Sequence, residues 1–158
     1  MSKKIDIQII IGSKSDEDKI KNAIDILDSF GVAYDFKVAS AHRTPNYVEE
    51  IIDNAINSGV KVFITGAGMA NHLLGTVAAR TILPVIGIPF SGGVSDGMDS
   101  LLSTVQMPSG IPVATVAVDG AKNAAILALE ILSIENKELQ KKLVEYRHQE
   151  ALRIQNAV

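Results

Sequence analysis

The residues offering the most chemistry in the fewest positions are Ser40-Ala41-His42-Arg43-Thr44-Pro45. A hydroxyl, an imidazole and a guanidinium occur together at Ser40, His42 and Arg43. The run follows an apolar-rich stretch, Ala33 to Ala39, and precedes a helical pattern opening at Thr44-Pro45. It therefore belongs in the loop at the carboxyl end of a strand, directly before a helix N-terminus, where open α/β sheets bind ligands. The helix end adds amide donors and a positive dipole. Such a loop suits a phosphate-bearing substrate with a proton to move; ordinary capping polarity is the alternative reading.

Two further loops carry matching chemistry. Gly12-Ser13-Lys14-Ser15-Asp16 follows an apolar run, and Gly66-Ala67-Gly68-Met69-Ala70-Asn71-His72 follows another. Ser13, Ser15 and Arg43 can hold a phosphate beside two helix N-termini, and Asp16 can accept from ribose hydroxyls. Plain capping is again the alternative for Ser15 and Asp16. His42 and His72 are the only imidazoles besides His148, which falls on a polar helical tail. Imidazole, with an ordinary pKa of about 6.5, gives and takes protons at neutral pH. Two such rings on separate loops point to acid–base work rather than zinc, because no carboxylate or thiolate stands at ligand spacing. Gly66-x-Gly68-x-x-Asn71 resembles a truncated dinucleotide fingerprint but lacks its third glycine and the acidic residue about 20 positions on. The glycines are read instead as letting a ligand approach the backbone.

The elements that must position these loops alternate along the chain. Ile5 to Ile11 reads as a buried parallel strand, and Ala33 to Ala39, Val60 to Thr65, Pro84 to Ile88 and Val113 to Val118 as the further strands of a parallel sheet. Helical patterns follow Asp16, with Ile20, Ala23, Ile24 and Leu27 on one face, and Thr44, with Val48, Ile51, Ile52 and Ala55. Gly31 and Gly59 stop them, and Thr44 with Pro45 marks a helix start. A small-residue helix should run to about Thr81, a glycine-rich mobile loop from Phe90 to Gly97, and a short helix through Leu101, Leu102 and Val105. Ala121 to Ile134 is apolar nearly all round, so burial on more than one side is expected. Lys137 to about Gln155 is a charged helix. The pattern predicts a single domain over 1–158: a three-layer, doubly wound α/β fold with a parallel five-stranded sheet, flavodoxin-like, with a C-terminal extension helix.

Bulk properties narrow the function classes. At 158 residues the chain can bury roughly two-thirds of its unfolded surface. A net charge of −3 argues against general nucleic-acid or acidic-membrane binding, so an anion must be held by local geometry. With no Trp, 4 Phe and 3 Tyr there is little material for base stacking. Cysteine is absent, which removes disulfides, thiolate zinc sites and cysteine nucleophiles and fits a cytoplasmic home. Met1-Ser2-Lys3-Lys4 is basic, but no cleavage-site pattern follows. The uncharged span Val62 to Ala79 approaches membrane-helix length but is broken by Gly66, Gly68, Asn71, His72 and Gly75, so no membrane partner is expected.

Gly12-Ser13-Lys14-Ser15-Asp16, Ser40-Ala41-His42-Arg43-Thr44-Pro45, Ala70-Asn71-His72-Leu73 and the run Asp99 to Pro108 together resemble class I PurE. This is the N5-carboxyaminoimidazole ribonucleotide mutase family of de novo purine synthesis. The resemblance spans nearly the whole chain, in order. It implies a ribonucleotide substrate, a homo-octamer with sites at subunit junctions, a C-terminal helix packing on a neighbouring subunit, and no metal or organic cofactor. Carried over by residue, Ser13, Ser40 and Arg43 would contact the phosphate region, Asp16 the ribose, and His42 would carry the proton. His72, with the backbone of Gly66, Ala67 and Gly68 and the adjoining Leu73, would line the base and carboxylate pocket. Met69, Asn71 and Leu74 stand where the family more often has Gly or Ala, Ala, and Pro, and Glu17 replaces a frequent Trp. Gly92 to Asp96 is also unusual.

Two other classes remain to be weighed. A sibling class carboxylates aminoimidazole ribonucleotide directly with carbon dioxide; its central loop resembles Ser-Ala-His-Lys-Thr, whereas this chain has Arg43, whose planar fork holds an anion differently from a lysine point charge. A phosphorylation-receiver or nucleotide-sensing module on the same fold needs clustered carboxylates after the first strand and an Asp ending the third. Here those strands run into Gly-Ser-Lys-Ser and Thr65-Gly66.

Overall fold

A computed structural model describes residues 4–157, so Met1, Ser2 and Lys3 of the basic N-terminal run lie outside it. Five parallel strands form one sheet in the order β2-β1-β3-β4-β5: β1 (Ile7–Ile11), β2 (Tyr34–Val38), β3 (Val62–Ala67), β4 (Val85–Pro89) and β5 (Ala114–Thr115). That is the flavodoxin-like order expected from the alternation. The register brings Val38 opposite Ile11 and Ile11 opposite Gly66, so β1, β2 and β3 end flush. The loops after these strands share one edge for that reason.

Helices cover both faces. On one, α1 (Glu17–Phe30) and α5 (Ala121–Ser133) press Ile20, Ala23, Leu27, Ala124, Ala125, Ala128 and Leu129 onto Ile7, Ile9, Ile11, Ile64 and Ile86. On the other, α2 (Pro45–Ser58) and α3 (Leu73–Ala78) set Val48, Ile51, Ile52, Leu74 and Val77 against Ile10, Phe63 and Val85. The short α4 (Met98–Val105) lies beside α3 over β4. A side chain on Gly87 would meet Thr104 at 2.8 Å and Leu74 at 3.0 Å, so this glycine lets both helices sit close to the strand. The unusual Leu74 fits fully buried in that space. Gly31 and Gly59 end α1 and α2 in left-handed conformation, with φ of 70° and 86°.

Several expectations change in detail. The fifth strand pairs over only Ala114 and Thr115 rather than Val113 to Val118. Pro112 has no N–H to extend the ladder backwards, and beyond Val116 the chain turns so that Asp119 donates to the Pro89 carbonyl at 2.9 Å. The third helix ends at Ala78, short of Thr81. In α5 the small residues face inward, while Ile126, Leu127, Ile131 and Leu132 are only partly buried. Burial on more than one side is thus not achieved within a single chain. The final helix, α6 (Lys137–Gln155), buries Leu139 and Leu143 against its own chain, and Tyr146 meets the Phe30 ring edge-on at 5.7 Å.

Candidate functional site

A cleft of about 720 Å³ opens at the carboxyl edge of the sheet. Ser13, Ser15, Asp16, Ser40, His42, Arg43, Ala67, Gly68 and Leu73, all anticipated from the sequence, line it. Gly66 and His72 do not.

The first loop begins where Gly12 N–H donates to the Gly66 carbonyl at 2.9 Å, tying β1 to β3. A short 3₁₀ turn, Lys14–Asp16, separates the strand from α1. Ser13 Oγ accepts from the Ser15 amide at 3.3 Å and lies 2.9 Å from Ser15 Oγ. Asp16 stands at the N-cap of α1, yet its carboxylate makes no cap hydrogen bond. It reaches instead toward Lys19 Nζ at 3.6 Å. Capping accounts for Ser13 within its own turn; it does not account for Asp16.

The central loop is closed on itself. Thr44 Oγ1 accepts from the Ser40 amide at 2.9 Å and donates to the Ser40 carbonyl at 3.1 Å, while Ser40 Oγ accepts from the Arg43 amide at 3.2 Å. Pro45 then starts α2 at a position that needs no N–H. This bracing turns His42 and Arg43 outward over the cleft. Arg43 Nη2 donates to the Gly12 carbonyl at 3.2 Å, which steadies the guanidinium between the first two loops. A guanidinium has five N–H donors, so one bond leaves capacity for an anion.

His42 Nε2 and His72 Nδ1 are 2.6 Å apart, with ring centroids at 4.7 Å and planes crossed at 71°. A hydrogen bond of this kind needs one nitrogen protonated and the other bare, so at least one ring is neutral while it holds. His72 thus meets the cleft through His42 rather than lining it. The loop behind His72 is anchored by Asn71, whose amide N–H donates to Ser103 Oγ at 2.9 Å and whose side chain donates to Thr104 Oγ1 at 3.0 Å. Asn71 is buried, and its own Oδ1 has no partner among the described residues.

Gly66 requires a different explanation from the one its spacing suggested. A Cβ there would collide with the buried Phe90 ring, so this glycine admits an aromatic side chain beneath the cleft floor rather than a ligand above it. Gly68 does line the cleft, and a Cβ there would find ordinary contacts at 3.5 Å or more.

The sequence reading missed Lys19, Met69, Ala70, Ser91, Gly92 and Gly93, all of which line the cleft. Lys19 stands three positions after Asp16 on α1, a helical spacing that puts both side chains on the same side. Ser91 to Gly93 follow β4, and the carboxyl-edge rule applied to that strand would have found them. Among the described residues, no group of three His, Asp or Glu side chains is placed to hold a metal ion.

A doubly wound sheet with a cleft at the point where strand order reverses defines an α/β protein of the class whose ligands bind at that edge. Comparison with known proteins narrows the class. The family model described as AIR carboxylase matches residues 6–152. The chain is 55% identical over 141 residues to the N5-carboxyaminoimidazole ribonucleotide mutase of Pyrococcus abyssi, covering 89% of this chain and 81% of that protein. It is 52% identical over 143 residues to the Bacillus subtilis protein of the same name, covering 89% and 88%. Treponema denticola PurE superposes with a TM-score of 0.87 at 31% identity, covering 95% of this chain and 94% of that one. This chain belongs to the AIR carboxylase family.

Proposed function

We propose that this protein is an N5-carboxyaminoimidazole ribonucleotide mutase: an isomerase of purine biosynthesis that moves a carboxylate from the exocyclic nitrogen to C4 of the imidazole. Family membership and relatives of that name support the reaction. The observation that carries the assignment of roles is the His42 ring, held at the cleft by His72 and flanked by Arg43, Ser40, Ser13 and Asp16.

The chemistry balances with one proton carrier. Protonated His42 gives its proton to the carbamate nitrogen as the C–N bond breaks, leaving the amine and carbon dioxide. The C4 carbon then attacks carbon dioxide, and the now neutral His42 takes the C4 proton, which restores the aromatic ring and the starting enzyme. No net proton, oxidant or nucleotide triphosphate is consumed. Carbon dioxide must stay in the cleft between the two steps, so exclusion of water and a closed wall matter. Arg43, Ser13, Ser15 and Ser40 take the phosphate, Asp16 takes the ribose, and Ala67, Gly68 and Leu73 take the base side of the ligand.

A homo-oligomer, octameric as the resemblance implies, completes the proposal. Met98, Leu102 and Val105 form a stripe on one side of α4, each about half exposed, and α5 presents Ile126, Leu127, Ile131 and Leu132 only partly covered. Light scattering at micromolar concentration should give a large assembly; a monomer overturns this part. No helix among the described residues is long and apolar enough to cross a membrane, which is compatible with a cytoplasmic enzyme. The decisive assay supplies the carbamate and the aminoimidazole ribonucleotide separately and follows the C4 carboxylate. Turnover from the carbamate at low carbon dioxide is expected. Turnover from the aminoimidazole with carbon dioxide, and none from the carbamate, would assign the direct carboxylase reaction instead.

A further inference from the structure

The cleft has one cationic lining residue for which the reaction above has no use. Lys19 Nζ, on α1, donates to the Ser91 carbonyl at 2.6 Å, a short charge-assisted bond. The same ammonium lies 3.6 Å from Asp16 Oδ1 and 5.6 Å from the centre of the Phe90 ring. An ordinary helix-surface ion pair would need only the Asp16 contact, which is the longer of the two. The shorter one spans 72 positions and joins the α1 side of the cleft to the loop after β4.

That loop has little local reason to hold one shape. Gly92, Ser95, Asp96 and Gly97 all have positive φ, at 99°, 51°, 52° and 107°. At Gly93 a Cβ would displace the Asp99 carboxylate that holds the loop. The loop is fastened from behind: Asp119 Oδ1 accepts from the Ser91 amide at 3.0 Å, Asp99 Oδ2 from the Val94 amide at 3.1 Å, and Ser100 Oγ donates to the Gly97 carbonyl at 3.0 Å. On the cleft side, Lys19 grips the Ser91 carbonyl. The Ser91 residue is therefore held on one side through its N–H and on the other through its carbonyl.

We propose that Lys19 is a positioning residue: it fixes the Ser91–Gly93 wall at a set distance from Asp16 and so sets the width of the cleft where the sugar of the substrate lies. This rests on the reading of the cleft as a ribonucleotide site. The Lys19 ammonium stands over Phe90, 5.6 Å from the ring centre, and that ring occupies the space left by Gly66, so the clasp stands on the cleft floor itself. Losing the clasp weakens ground-state and transition-state binding alike, which appears in KM and not in kcat.

The test compares the full-length protein with Lys19→Met, which keeps the stem and loses every donor, and Lys19→Gln, which keeps a neutral donor. Without substrate, amide hydrogen exchange over 91–97 should rise about ten-fold in Lys19→Met, with Lys19→Gln in between, while β1 and β3 stay as in wild type. KM for the carbamate should rise about ten- to a hundred-fold in Lys19→Met with kcat within about three-fold. Unchanged exchange over 91–97 overturns the clasp whatever the substrate proves to be. Faster exchange with unchanged KM overturns the positioning role, and faster exchange throughout the sheet marks a general structural role and overturns it too. Should the wild type fail to turn over the carbamate, the proposed function fails, and the exchange measurement still decides whether Lys19 holds the wall.

Discussion

The cleft has two walls built on different principles. One, made by the loops after β1 and β2, is shaped by bonds between residues at most four apart, Ser13 with Ser15, Ser40 with Thr44 and Arg43 with Ser40, and is tied across by Arg43 to Gly12 and His42 to His72. The other, made by the loop after β4, adds to the short-range bonds of Asp99 with Val94 and Ser100 with Gly97 two distant anchors on Ser91: Asp119, 28 positions away, and Lys19, 72 positions away. The first wall presents side chains of fixed pose to a ligand. The second presents backbone whose pose is lent by the rest of the fold. Chemistry and shape are thus assigned to different walls, and substitutions should separate them.

The largest effect is expected on the first wall. His42→Asn should fold as wild type, since the ring is exposed, and lose about 10²–10⁴-fold in turnover, because an amide carries no proton at neutral pH. Circular dichroism with single-turnover formation of the C4 carboxylate checks both halves. Near-normal turnover removes His42 from the mechanism. Arg43→Ala should come next, raising KM by the equivalent of about 1.5–3 kcal/mol for a charged hydrogen bond with little change in melting temperature. If saturation is unaltered, the phosphate lies elsewhere.

Below the second wall the order of effects should invert. Gly66→Ala forces a methyl into the Phe90 ring and should cost about 1–3 kcal/mol of stability, read from denaturant midpoints, before activity is considered. Adding Phe90→Leu should return part of that loss, a coupling that two independent sites would not show. The smallest effect belongs to neither wall. Asn136 caps α6 by accepting from the Leu139 amide at 3.0 Å, so Asn136→Ala should cost about 1 kcal/mol and leave KM untouched. A changed KM there would mean that the cleft feels the far end of the molecule.

The same division governs what could be read from the sequence. Strands β1, β3 and β4 announce themselves as short apolar runs and β2 as an alternation through Tyr34, Phe36 and Val38, and Gly31, Gly59 and Pro45 punctuate the helices where the dihedral angles later require it. Ser40, His42 and Arg43 were legible because they crowd between a strand and a helix start, although His42 and Arg43 also lean on His72 and Gly12, 30 and 31 positions away. Lys19 was not: its spacing from Asp16 was visible, but its partner Ser91 lies 72 positions on and no periodicity connects them. Gly66 was legible as a position that needs room but its neighbour Phe90 was not, because a sequence shows that a side chain is missing and not which ring fills the space. β5 was drawn too long because strand length depends on the pairing partner as much as on composition. Its ladder covers only Ile86 with Ala114 and Gly87 with Thr115.

The last helix bears on how the chain comes into being. Lys142 on α6 donates to the Phe30 carbonyl, 112 positions earlier, and Leu139 and Leu143 complete a cluster that begins at Ile7. At about 5–20 residues added per second, roughly ten seconds of synthesis separate the emergence of α1 from that of the helices that cover it. Through that interval Ile20, Ala23 and Leu27 have the strands beneath them but lack α5 beside them. The nascent protein therefore carries an uncovered apolar face until α5 and α6 emerge. Closing that face falls to the last two helices, so the interval before they emerge is when the chain is open to contacts outside its own fold.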